Sequence, residues 1–541
     1  MAKLAAARSW GSSSQGMAAA AALVAGSLIA SRVLGLVRIS IFADLFGTSR
    51  AMADYNAAFR IPDILFTVVA GGALSSAFVP VFAGLLERNR EQDAWRVANT
   101  VLNSLLLALV VLAAGAFVLA PQLTHLLYPG KAIDPVQTAS LTRIMLVQPI
   151  LLGLGGLFAA MQNSYNRFLL PAIAPVLYNL AIIVGAALFG PHFGVTAAAW
   201  AVVVGAVIMF EVQIWGVSAE LGLYRAVLNW RIPDSRQVLK LMGPRLLGLS
   251  AFQLMLIVTY LLASGLTEAG YNSITYAWSL IMFPVGAVGT SVGMAVFPSL
   301  SRQSAGAHDE LVARTVRQSL RAIVFLTLPA TAGLIVLRRP IIQLLFAHGA
   351  WTTGSTTATA LALEFYAGCI VPLATIEVVA RAFYALKNTR TPVTIAIIAA
   401  GLDAVLCTAF VHLLPRSEGQ GGLGLATAIA VWVQIGLLLV ALRKRMPAVT
   451  DTDFRKSATA MIVATAIMSG CVYAGLRLLE SVWAGSQWFH ALLECVVGIG
   501  IGLVVYVGVA RILNVPEVER VTSLINRLSP ARTDQRTHRG E

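Results

Sequence analysis

The chain reads as a succession of long apolar runs separated by short polar stretches. The runs fall at 17–43, 51–86, 97–120, 141–165, 171–190, 194–216, 237–264, 271–301, 315–337, 356–386, 392–414, 421–442, 457–479 and 488–511. A helix needs roughly 20 apolar residues to cross the hydrocarbon core, and these runs are far longer than the ten-residue alternation of a transmembrane strand. Lipid offers the backbone no hydrogen-bonding partner, so each run must satisfy its own amides as a helix. The predicted fold is an all-α polytopic membrane protein with about 14 transmembrane helices. Several runs exceed 25 residues and carry Pro62, Gly71, Gly72, Pro80, Pro284 or Pro298, which predicts bent helices there.

The pattern also repeats. The segment 77–80 (AFVP) resembles 295–298 (AVFP), with Pro80 and Pro298 218 positions apart. Pro121, ahead of Leu126, Leu127 and Gly130, resembles Pro340, ahead of Leu344, Leu345 and Gly349, at a separation of 219. Asn166, Arg167 and Pro171 resemble Asn388, Arg390 and Pro392, with the prolines 221 apart. Six spans therefore recur as six, and an even number keeps the orientation, which is the parallel-repeat arrangement of transporters with a central site. The expected division is an N-lobe over 1–216, a C-lobe over 217–443, two appended spans over 444–511 and a basic tail over 512–541.

Composition agrees. Of 541 residues 58% are hydrophobic and 12% charged, against about 25% charged in a soluble domain. Mean hydropathy is +0.78. Cys369, Cys407, Cys471 and Cys495 all lie within apolar runs, so a disulfide-stapled secreted fold is excluded. Basic residues are unevenly placed. One set of loops, with both ends of the chain, holds 28; the opposite set holds only Arg50, Lys131, Arg143, Arg338, Arg339, Arg416 and Arg477. Positively charged loops stay in the cytoplasm, so both termini are expected there, and the net charge of +14 reflects topology and anionic lipid rather than nucleic acid. The first apolar run is too long for a signal peptide and contains Arg32 and Arg38.

An arginine near the bilayer centre costs about 2.5–3.5 kcal/mol on insertion scales, so each needs a reason. Arg32 lies near the middle of span 1. Arg60 lies about 12 Å deep in span 2, so the two can meet near the midplane. Arg38 sits about 9 Å further outward than Arg32 and is turned about 120° from it, which places it on another wall or level of the same cavity. Asp54 and Asp63 accompany them on span 2. Two readings compete. Either Arg60 and Asp63 neutralise each other while Arg38 snorkels, or the arginines line an electropositive chamber for an anionic headgroup. Three arginines against two acids favour the chamber, and span 8 carries no charge from Tyr271 to Ser301, which polarises it toward the first lobe. Glu377 and Arg381, four apart on span 10, are expected to form a structural pair. Asp403 on span 11 is expected to be an ion or proton site or the partner of another helix. No metal-ligand spacing, phosphate-cradling loop or nucleophile triad is visible, and no catalytic residue or metal site is expected.

The segments 31–38 (SRVLGLVR), 53–54 (AD), 59–63 (FRIPD), 73–80 (ALSSAFVP), 297–301 (FPSLS) and 381–392 (RAFYALKNTRTP) together resemble the MurJ (MviN) family of lipid II flippases. The resemblance runs over nearly all the spans. It implies a MATE-like two-lobed transporter of the bacterial cytoplasmic membrane that carries undecaprenyl-diphosphate-linked peptidoglycan precursor to the outer leaflet by alternating access. By position it makes Arg32, Arg38, Asp54 and Arg60 substrate-binding residues, spans 13 and 14 a groove for the lipid tail, and Asp403 a coupling site for sodium or a proton beside the membrane potential. Three positions depart from the family pattern. Several relatives carry an arginine where this chain has Phe66 and Thr67, an acid followed by glycine at Gly71 and Gly72, and an arginine in span 8 where Ser279 stands beside Trp278. A flippase for another polyprenyl-diphosphate-linked glycan is the alternative. A membrane glycosyltransferase would need acids in a large outer loop, where 121–140 offers only Asp134, and a cation exporter would prefer acids over arginines in its pocket.

Overall fold

The computed structural model describes residues 14–70, 73–306, 309–482 and 487–519. They are helical almost throughout, with no strand among the described residues. The helices are α1 Ser14–Phe46, α2 Arg50–Leu65, α3 Ala73–Glu87, α4 Glu91–Leu127, α5 Pro135–Met145, α6 Val147–Ser164, α7 Leu169–Phe193, α8 Val195–Gly216, α9 Pro233–Ala263, α10 Glu268–Pro284, α11 Ser291–Ala305, α12 Asp309–Val336, α13 Arg338–Phe346, α14 Thr353–Tyr366, α15 Ile370–Ala385, α16 Arg390–Leu413, α17 Gly419–Arg445, α18 Thr452–Val482 and α19 Gln487–Ile512. Among the described residues 11 helical stretches are long and apolar enough to cross a membrane. Exposed residues on them, such as Val118, Trp200, Val405, Leu503 and Val504, are apolar, as lipid contact requires. The other three expected spans fall on α1, on α2 with α3, and on α9, the last two including the shorter apolar helices Ala77–Glu87 and Gln253–Ala263. The chain is a multi-pass membrane protein.

Two of the spans expected to be irregular change their winding. Span 2 changes from α to π winding at Phe66–Ala70, and span 8 does so at Val285–Thr290. Each π segment lies after a proline in the same span, Pro62 or Pro284. α2 begins at residue 50 and α10 at 268, and the π segments begin at 66 and 285, so the interruption itself recurs at the spacing of the sequence repeat. Gly71 and Gly72 lie outside the described residues.

Two compact units emerge. The first comprises Met1–Leu280, Leu345–Ala362 and Ala396–Ala426, and the second Ile281–Leu344, Leu363–Ile395 and Thr427–Glu541. In the first, Phe78, Phe82, Trp95, Leu157 and Met161 centre one core, and Phe42, Met52, Tyr55, Leu141 and Ile182 another. In the second, α18 and α19 pack on α12 through Phe325, Met461, Met468 and Tyr506, and the Tyr506 hydroxyl donates to Phe325 O at 2.8 Å. The stretch after α19, expected as polar tail, packs as well. Val515 and Val518 join that core, and Glu517, 3% exposed, accepts from Arg321 Nε at 2.7 Å and from Ser457 Oγ at 3.2 Å. Arg321 Nη2 also donates to Ser457 Oγ at 3.2 Å, closing a three-residue knot.

Candidate functional site

The first unit is sealed at one end, the end that the basic-residue count assigns to the outside. Ala350 N donates to Asp44 O at 2.8 Å, Tyr276 Oη to Gly47 O at 2.8 Å, Gly130 N to Ser264 Oγ at 3.1 Å and Ala132 N to Ser264 O at 3.2 Å. Ser40 Oγ donates to Leu345 O, and the Thr48 and Ser355 hydroxyls lie 2.7 Å apart. Gly47 and Gly349 have φ of +57° and +51°, and a Cβ on either would strike the other's loop, at Ala350 O or at Asp44 O. Only glycine fits both demands.

Below this seal α2 carries Arg60. Its guanidinium stacks on the ring of Tyr260 from α9 at 3.7 Å. Tyr260 meets Tyr271 of α10 edge-on at 5.5 Å, and Tyr271 meets Tyr128 at 6.4 Å. The Tyr128 hydroxyl donates to Ala57 O at 3.0 Å, so the box is pinned to α2 itself. Asn56, one turn above Arg60, donates to Asn272 Oδ1 at 2.8 Å, and Asn272 Nδ2 donates to Ser49 O at 3.0 Å. The Nε of Arg60 is buried without a hydrogen-bond partner. Asp63 is not within ion-pair distance of it; among the described residues the ion pairs lie elsewhere. A cation on an aromatic face is worth about 0.5–2 kcal/mol, less than the 1.5–3 kcal/mol of each hydrogen bond to a charged group. The guanidinium is therefore held, not used up. The free space beside it is about 10 Å³ for the centre of a water molecule, room for one water and not for a diphosphate.

The other expected site residues fall in distinct places. Arg32 and Arg38 are half-buried on α1, which Asn179 of α7 fastens by donating to Ser31 Oγ at 3.3 Å. Arg38 acts electrostatically on Tyr55 and Tyr178, and Asp63 also faces Tyr178. Asp54 is fully buried. Its Oδ1 accepts from Asp134 N at 2.6 Å and from Thr138 Oγ1 at 3.5 Å, while Asp134 caps α5 through Val136 N at 2.9 Å. Asp54 holds the connection between α4 and α5 in place. Asp403 is fully buried in α16, within the first unit. In the second unit Glu377 and Arg381 form an ion pair, and Arg381 Nη1 also donates to Glu377 O at 2.6 Å. Phe66 packs against the first core, and Ser279 Oγ donates to Thr275 O at 2.8 Å, so neither position adds a cation. Among the described residues no three His, Cys, Asp or Glu gather as metal ligands.

Tyr128, Tyr260 and Gln253, which line the Arg60 recess, were not legible as site residues. The sequence held little signal for them: Tyr-Asn occurs at 55–56, 165–166, 178–179 and 271–272, and only the fold shows that Asn56 and Asn272 bond to each other.

The comparisons with known proteins agree with this architecture. The family model described as "Lipid II flippase MurJ" matches residues 42–493. The lipid II flippase MurJ of Burkholderia cenocepacia is 32% identical over 434 residues, covering 78% of this chain and 83% of that protein. A probable lipid II flippase MurJ of Rhizobium tropici is 27% identical over 94% of this chain and 96% of its own length. Among solved structures, a lipid II flippase MurJ in an inward closed conformation superposes with a TM-score of 0.75 at 23% identity, covering 91% of this chain and 99% of the other. An inward-facing multidrug MATE transporter of the MOP superfamily follows at 0.64 and 15%, over 78% of this chain and 96% of its own. The length of the family match and the 32% identity across most of both chains place the protein in the lipid II flippase MurJ family.

Proposed function

We propose that this chain carries lipid II, the polyprenyl-diphosphate-linked peptidoglycan precursor, from the inner to the outer leaflet of the bacterial cytoplasmic membrane by alternating access, with both termini in the cytoplasm. One observation carries the reading: Arg60 sits deep in the first unit on an aromatic ring, with no carboxylate in ion-pair reach, while Arg32 and Arg38 stand half-buried on the helix before it. Guanidinium groups in that state replace the hydration of a diphosphate through charge-assisted, bidentate bonds. Two such bonds outweigh the ring, so an arriving phosphate takes Arg60 from Tyr260. Asp54 serves as a positioning residue, holding the outer connection so that α2 presents Arg60 at a fixed depth. Asp403 is the residue for a coupling sodium ion or proton. The exposed apolar faces of α18 and α19, with Ile462, Ile467, Val496, Ile499 and Leu503, suit the lipid tail.

The energetics favour export. An inside-negative potential contributes roughly 2.3 kcal/mol per charge per 100 mV to outward movement of the anionic headgroup. The recess is too small for a diphosphate in this conformation, so loading requires it to widen. The test is replacement of a host's essential lipid II flippase by this chain, with outer-leaflet lipid II measured directly. Growth with normal outer-leaflet lipid II is expected. A well-expressed chain that fails there and restores a different glycan pathway would establish the second reading, a flippase for another polyprenyl-diphosphate-linked glycan, which the apolar Phe66 and uncharged Ser279 favour.

A further inference from the structure

The ring under Arg60 is itself fixed. The Tyr260 and Thr275 hydroxyls lie 3.2 Å apart, and Tyr271 closes the other edge. Arg60 has an acid three residues away on its own helix, yet its guanidinium turns to α9. A carboxylate in this low-dielectric setting would bind the cation too firmly for exchange; the ring holds it at modest strength and leaves its N–H groups unspent. The same contact bridges α2 to α9, which itself packs on α3 and α4, so releasing the cation removes a tie between α2 and α9 just below the sealed end.

We propose that Tyr260 is a positioning residue of the phosphate site, a resting place for the Arg60 guanidinium for which ring and phosphate compete. An empty site keeps Arg60 on the ring and α2 against α9. Phosphate removes the cation from the ring, breaks the contact and favours the parted arrangement. The competition rests on the reading of Arg60 as a phosphate ligand; the latch between α2 and α9 does not.

The test uses the full chain in nanodiscs and two readouts that need no lipid II. Hydrogen exchange of residues 56–64 should speed roughly 2- to 30-fold in Y260L, the range of one cation–π contact. R60M should match it, R60M/Y260L should go no further, and Y260F, which keeps the ring, should stay near wild type. Residues 155–162, in the core of the same unit, should be unchanged in all. Y260M replaces Y260L if the latter does not accumulate. Exchange in Y260L within twofold of wild type, additive single effects, or Y260F behaving as Y260L would overturn the latch. Inorganic pyrophosphate should bind Y260L about tenfold more tightly than wild type, with the gain absent in R60M/Y260L; equal or weaker binding, or none by either protein, overturns the competition. A chain that meets the exchange criteria but moves no lipid II refutes the transport reading and leaves the latch standing. A working flippase with unaltered exchange does the reverse.

Discussion

Arg60 and Arg381 are two arginines on membrane-spanning helices, and the protein treats them in opposite ways. Arg381 pairs with Glu377 on its own helix, and Gly293 leaves room where its guanidinium lies. Arg60 has Asp63 nearby but rests on Tyr260. The difference begins in local geometry. A glutamate four residues ahead of an arginine reaches back along the helix in the favoured orientation, whereas a short aspartate three residues after it does not close the pair here. A cation neutralised within its own helix is structural. A cation resting on a π face, outside ion-pair distance of an acid, keeps hydrogen-bond capacity for something that arrives later.

That contrast can be broken by experiment. Arg60→Ala should lower lipid II flux about 30- to 100-fold at unchanged membrane abundance, the loss of one or two charge-assisted contacts. Arg381→Ala should lower abundance and leave flux per molecule near wild type; an equal loss of flux per molecule in both would erase the distinction. Next in size, Asp54→Asn should weaken the bond to Asp134 N by about 1–2 kcal/mol, read as faster hydrogen exchange over 134–138 with the core of the unit unaffected. Glu377→Gln should cost about 1 kcal/mol, because both partners are partly exposed and the pair is screened; the measurement is the thermal midpoint in detergent. Smallest is Gly293→Ala, at about 0.5 kcal/mol. Its Cβ would crowd the tip of Arg381 and stand 3.3 Å from Glu377 O, so the guanidinium shifts a little while keeping its pair with Glu377. A loss larger than that of Glu377→Gln would mean that α11 and α15 cannot yield there.

The all-helical membrane fold and 11 of its spans were legible because lipid imposes a length and a composition on every crossing segment. Pro62 and Pro284 marked these two spans as irregular, yet the π winding that follows each is not specified by any local pattern. The arginines stood out as charges in apolar runs. Their surroundings did not. Tyr128 and Tyr260 lie 68 and 200 positions from Arg60 and read in sequence as ordinary aromatic members of apolar segments. Asp54 shared that difficulty: its charge was evident at once, but its use on the backbone of Asp134, 80 residues on, required the fold. Side-chain partners between distant segments are set by packing, which a single sequence does not record.

The knot of Arg321, Ser457 and Glu517 sets a practical limit on shortening the chain. Ending it at residue 512, where the last long helix stops, deletes Glu517 and strands Arg321 among apolar neighbours with no counter-ion. Ending it at 519 keeps the knot whole, and purification handles or fusion partners belong beyond that point.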